Sequence, residues 1–125
     1  MKLTLDSNTA QYNIENYQPG IIKISGNLYH QSILLMPEQL LPWEIHAPQK
    51  LCSAALSLLL EFQVDIILLG TGNKLIFPSS KDTSIIYQAG IGLEIMDTAA
   101  ACRTYTILVS EQRSVLAGLI IEQPS

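Results

Sequence analysis

VDIILLGTGNKLIFP, residues 64–78, and GIGLEIMDTAAACRTYTILVSEQRSVLAGLII, residues 90–121, decide the fold. Val64–Leu69 is a short, almost wholly apolar run that ends at Gly70, as suits a strand covered on both faces of a parallel sheet. Ser79–Ser80 can cap a helix running to about Ala89, and Gly90 stops it. Ile91–Met96 is the next strand, so strand, helix and strand make a βαβ unit that should be right-handed. Asp97–Thr98 then caps a helix from about Ala99 to Ser110. Thr104, Thr106, Ile107 and Val109 lower its intrinsic propensity, so packing must hold it in place. Ser114–Ile121 closes the chain as an apolar strand.

Working back from this stretch, Leu51–Phe62 reads as a helix. Leu51, Ala54, Ala55, Leu58, Leu59 and Phe62 fall on one face, opposite Ser53, Ser57 and Glu61. Three prolines punctuate Pro37–Pro48, which reads as a loop with Trp43 as its anchor in the core. Ile21–Ser25 and Leu28–Met36 read as a hairpin about Gly26–Asn27, entered through a Pro19–Gly20 turn. Leu3–Leu5 alternates weakly and reads as an edge strand. The fold expected is α/β: a single three-layer domain over 1–125, structured from about 20 to 121. It has a central mixed sheet, an N-terminal β-hairpin and helices on the sheet faces.

Composition narrows the function. Only 14% of residues are charged against 48% hydrophobic, well under the usual charged share of about 25%. Apolar surface facing a protein partner, or a second copy, is therefore expected. The net charge is −4 and the basic residues are scattered singly, so there is no footprint for nucleic acid. No apolar run reaches the length of a membrane span, so no membrane insertion is expected. Met1–Lys2–Leu3–Thr4 opens no signal or transit peptide, which points to the cytoplasm. There Cys52 and Cys102 are read as free thiols. His30 and His46 make no ligand spacing with each other or with the cysteines, so neither a metal nor a cofactor is expected.

The combination of Gly70–Thr71–Gly72, Gly90–Ile91, Leu93–Glu94, Met96–Asp97–Thr98, Ala101–Cys102, Thr104–Tyr105, Leu108, Glu111 and Arg113, with Trp43 upstream, resembles a family of small proteins of unknown function. Its eukaryotic branches include a mitochondrial complex I assembly factor and an adipogenesis-associated domain protein. The likeness runs from about Gly20 to Ile121. It implies a three-layer α/β domain on a mixed sheet and no particular reaction. Thr106 stands where the family has Asn, and Gln112 where Gly is usual between Glu and Arg.

The candidate chemistry clusters at strand ends. Gly70–Thr71–Gly72 can be an anion cradle of backbone N–H groups or a tight turn needing positive φ; the dinucleotide and P-loop spacings both fail. Asp97–Thr98 is first a helix cap, but it would lie beside that turn at the carboxyl ends of the strands, where open α/β sheets place ligands. With Cys102 and Arg103 these residues make a candidate pocket with room for a small anion. Cys102 falls early in a helix, whose dipole lowers a thiol pKa, yet catalysis also needs a histidine base within reach. A buried thiol is the plainer reading, and no catalytic residue is assigned. Glu94 points away from its apolar neighbours and reads as half of a structural ion pair, with Arg103 or Arg113 nearest and Glu111 close in sequence. The reading favoured is a non-enzymatic protein-interaction or assembly-factor-like module. The alternative is a small-molecule or anion-binding domain, or a weak enzyme, with the strand-end pocket as its site.

Overall fold

The computed structural model describes residues 11–123; the expected strand at Leu3–Leu5 lies outside them. Eight strands and three α-helices follow in the order β1 (Ile14–Gln18), β2 (Ile21–Ile24), β3 (Asn27–Tyr29), β4 (Ile33–Met36), β5 (Gln39–Pro42), α1 (Ser53–Ser57), β6 (Ile66–Gly70), α2 (Ser80–Gln88), β7 (Gly92–Met96), α3 (Thr98–Ser110) and β8 (Val115–Leu119). The central mixed sheet runs β5-β4-β8-β6-β7, and β1-β2-β3 form a second, antiparallel sheet. β6 pairs parallel with both β7 and β8, and β4 runs antiparallel to β8 and β5. The expected α/β architecture with a mixed central sheet is therefore present.

Strand alternation divides the core into two layers, because successive side chains point to opposite faces. Leu68, Val115, Ala117, Leu119, Ile33 and Leu35 pack under α3 and the small sheet with Ile22, Ile24, Ala101 and Tyr105. Ile67, Leu69, Leu116, Ile120, Leu34 and Met36 face the other way, against Trp43, Leu56, Leu59 and Ile86. Trp43 anchors its loop as expected: its ring lies over Gly118, where an added Cβ would sit 2.8 Å from the ring carbons.

Both later helices begin and end at the residues that the sequence marks. Ser79 caps α2 and Asp97 caps α3 through their side chains. Gly90, at φ 77°, ends α2. Its N–H donates to Tyr87 and that of Ile91 to Ile86, a Schellman ending.

Elsewhere the structure corrects the sequence reading. The hairpin turn is Ser25–Gly26, both at positive φ, one residue earlier than expected. Leu28–Met36 is not one strand: it breaks between Tyr29 and Ile33, and β3 and β4 belong to different sheets. β1 was not anticipated; the Pro19–Gly20 turn joins it to β2. Within the Pro-rich loop Gln39–Pro42 pairs with β4, on an outer edge where a proline costs no ladder bond. The Leu51–Phe62 helix shrinks to the five residues of α1 and a 3-10 turn at Leu58–Glu61. Cys52 supplies no side-chain cap, and so short a helix is held mainly by packing. Its buried residues are Leu56 and Leu59, with Leu51 before it, whereas Leu58 is 59% exposed.

Candidate functional site

At the carboxyl ends of β6 and β8 the chain builds a buried junction around Thr98. Gly70 permits it: a Cβ there would meet the Thr98 backbone and hydroxyl at 3.0 Å. The Thr98 hydroxyl donates to the Ile120 carbonyl at 2.7 Å and accepts the Gly72 N–H at 2.8 Å. The Thr98 N–H donates to the Gly72 carbonyl at 2.9 Å, and the Thr71 N–H to the Met96 carbonyl at 2.9 Å. The Thr71 hydroxyl donates to the Lys74 carbonyl at 2.6 Å and accepts the Ile76 N–H at 3.1 Å, which folds the following loop back.

The Gly70–Thr71–Gly72 turn therefore has its amides occupied from within. The next one, the Asn73 N–H, donates to the Glu122 carboxylate at 2.7 Å. Glu122 lies against Gly72, which sits at φ +100°, so a carboxylate of the chain itself fills the place an anion would take. Of the two readings of this motif, the geometry matches the tight turn. Glu122 escaped the sequence reading; an acidic residue directly after the last apolar strand was the available signal. Ser32 was missed too, with its hydroxyl accepting the Ile121 N–H at 3.0 Å from a distant part of the chain.

Cys102 and Arg103 do not join this junction. They line a separate groove of about 440 Å3 between α3 and β1, opposite Glu15, Asn16 and Tyr17. Thr106, the departure from the family's Asn, also lines this groove and donates its hydroxyl to the Cys102 carbonyl at 3.1 Å. Burial pushes the Cys102 thiol up to about 12; Arg103 opposes the shift and Asp97 adds to it. The protonated thiol is a poor nucleophile, and neither His30 nor His46 lines the groove. Burial also raises the Tyr17 hydroxyl, with smaller contributions from Cys102, Glu122 and Asp97. The Asp97 carboxylate accepts the Ala100 N–H at 2.8 Å as a helix cap.

Glu94, Glu111 and Arg113, the residues expected to form a structural ion pair, are all exposed. As the edge strand, β7 has no cover over Glu94, so the charge stays in water and needs no partner. Among the described residues no group of three or more His, Cys, Asp or Glu could hold a metal ion. No helix there is long and apolar enough to cross a membrane.

Known proteins share both sequence and fold with this chain. NADH dehydrogenase [ubiquinone] 1 alpha subcomplex assembly factor 3 of Danio rerio is 32% identical over 109 residues, covering 86% of this chain and 63% of that protein. The chain thus spans roughly 60% of the length of such assembly-factor relatives. The 13 kDa major membrane protein of Francisella tularensis is 31% identical, over 85% of this chain and 88% of its own length. A crystal structure from Bordetella parapertussis superposes with a TM-score of 0.85 at 28% identity, over 91% of this chain and 98% of that one. A solution structure from Xanthomonas campestris gives 0.82 at 32% identity, over 100% and 98%. With residues 14–120 matched, the chain belongs to the family described as protein of unknown function (DUF498/DUF598).

Proposed function

We propose that the chain is a non-enzymatic, assembly-factor-like protein-interaction module that acts by holding another polypeptide. The observation that carries this reading is the 32% identity to an assembly factor across 86% of the chain. The local chemistry supports it. The strand-end residues that could have held an anion bond to one another, and the Cys102 thiol is protonated and has no histidine on its groove. The exposed free thiol of Cys52 suits a reducing compartment, and the cytoplasm is the proposed place of action.

A second reading is favoured by Arg103, among the described residues the one cationic side chain lining the groove between β1 and α3: a small anionic ligand with an apolar body would suit that groove.

Cross-linking of the tagged protein in its native cells tests the first reading and should return one partner at fixed stoichiometry. A thermal-shift screen against metabolites and anions should leave the midpoint unmoved. The second reading replaces the first if no stoichiometric partner is recovered and an anion raises the midpoint by several degrees in the parent but not in Arg103→Ala.

A further inference from the structure

β7 is the outermost strand of the central sheet, and among the described residues nothing pairs with its far edge. The ladder to β6 determines which backbone groups lie there. The Gly92 N–H donates to the Asp65 carbonyl at 2.9 Å, and the Met96 carbonyl accepts the Thr71 N–H at 2.9 Å. In a parallel ladder both polar groups of every second residue turn to the same neighbour. Gly92, Glu94 and Met96 therefore face β6, and the N–H and C=O groups of Leu93 and Ile95 face outward.

Leu93, Glu94 and Ile95 line a groove of about 410 Å3 together with Phe77, Pro78 and Tyr87. Phe77 is 66% exposed and Tyr87 56%. An open strand edge beside two exposed aromatic rings is a combination that proteins normally cover or blunt.

Glu94 decides what covers it. Among the described residues it is the one charged side chain lining the groove, and it projects from the opposite sheet face to Leu93 and Ile95. A second copy adding antiparallel about a two-fold axis at Glu94, the register that pairs Leu93 of each copy with Ile95 of the other and so uses all the outward groups, would place Glu94 directly opposite its own copy. Their Cβ atoms would be about 5 Å apart, and like charges so placed are destabilising. The same carboxylate attracts a lysine or arginine in that position.

We propose that the β7 edge accepts an extended segment of a partner protein as a sixth strand, with a basic residue opposite Glu94 and apolar residues to either side of it against Phe77 and Tyr87. Main-chain bonds to Leu93 and Ile95 provide the affinity, and the period of two sets the alternation of basic and apolar side chains. The inference rests on the interaction-module reading and assigns that module a surface and a class of partner.

The test is amide hydrogen exchange on the whole protein, with an end-blocked peptide of alternating lysine and valine as the probe at millimolar concentration. Exchange at Leu93 and Ile95 should slow by about tenfold, while Gly92, Glu94 and Met96, already bonded to β6, should not change. A peptide of alternating glutamate and valine should have no effect, and Glu94→Lys should make the two peptides exchange roles. The β7 site is overturned by a lysine peptide that protects other amides, by one that ignores the charge reversal, or by no binding. A dimer of the parent protein with Leu93 and Ile95 protected would overturn it in favour of a second copy. Cross-links from the native partner that map away from β7 would sink this inference and leave the interaction reading standing. Recovery of no partner would remove the interaction reading whatever the peptides do.

Discussion

Thr98 holds Gly72 at both of its backbone polar groups: the threonine N–H donates to the glycine carbonyl at 2.9 Å, and the threonine hydroxyl accepts the glycine N–H at 2.8 Å. One residue thereby ties the start of α3 to the turn after β6, and through the Ile120 carbonyl to the end of β8. Thr98→Val keeps the shape and removes the hydroxyl, leaving a buried donor and a buried acceptor unpaired. It should cost about 3 kcal/mol, whereas Thr98→Ser should stay within about 1 kcal/mol of the parent. Urea unfolding of the two variants side by side is the check; a loss in Thr98→Ser as large as that in Thr98→Val would show that the methyl packing matters as much as the hydrogen bonds.

Trp43 and Gly118 form a second mutually dependent pair. Gly118→Ala would drive its methyl to within 2.8 Å of the indole ring, and the ring, 7% exposed, has little room to retreat. A loss of about 2 kcal/mol is expected. In a Trp43→Leu background the same change should cost at least about 1 kcal/mol less, as a double-mutant cycle would show. Strict additivity would mean that the loop shifts freely over β8.

The alkaline limb of stability should belong to α3. Burial raises the Cys102 thiol from its ordinary 9.0 to about 12, so the folded state holds this proton more tightly than the unfolded chain does. The stabilisation is complete below pH 9 and is lost as pH rises through about 12. Burial also raises the Tyr105 hydroxyl, so it acts in the same direction above its ordinary 10.0. Thermal midpoints should fall steeply across this alkaline range for the parent, less for Cys102→Ala, and least when Tyr105→Phe is added. Identical slopes for all three proteins would contradict the assignment.

Gln112 sits at φ 62° directly after α3, in the position where helices with this ending favour glycine. Its N–H donates to Val109 and that of Arg113 to Leu108, both at 2.9 Å, the two bonds of a Schellman ending. A side chain is strained there. Gln112→Gly should therefore raise stability by about 0.5–1 kcal/mol, measurable as a higher thermal midpoint with no change elsewhere in the spectrum. A fall would mean that contacts of the glutamine side chain outweigh the strain.

Local signals were enough for much of this protein. Ser79 and Gly90 bracket α2 and Asp97 opens α3, because capping groups and a left-handed glycine act within a few residues of where they stand. The apolar runs at 66–70 and 115–119 became β6 and β8, because only a doubly covered strand tolerates so little polarity. What the sequence could not place are contacts between segments far apart along the chain. The break that sends β3 and β4 into different sheets, the pairing of Gln39–Pro42, the return of Glu122 to Asn73 and the meeting of Tyr17 with Cys102 all depend on which surfaces the assembled sheet leaves open. Thr98 shows the division within one residue. Its cap position beside Asp97 was legible, but its hydroxyl found Gly72 and Ile120 only because β6 and β8 lie side by side. Propensity is a property of neighbours in sequence, whereas hydrogen-bond satisfaction in a core is a property of neighbours in space.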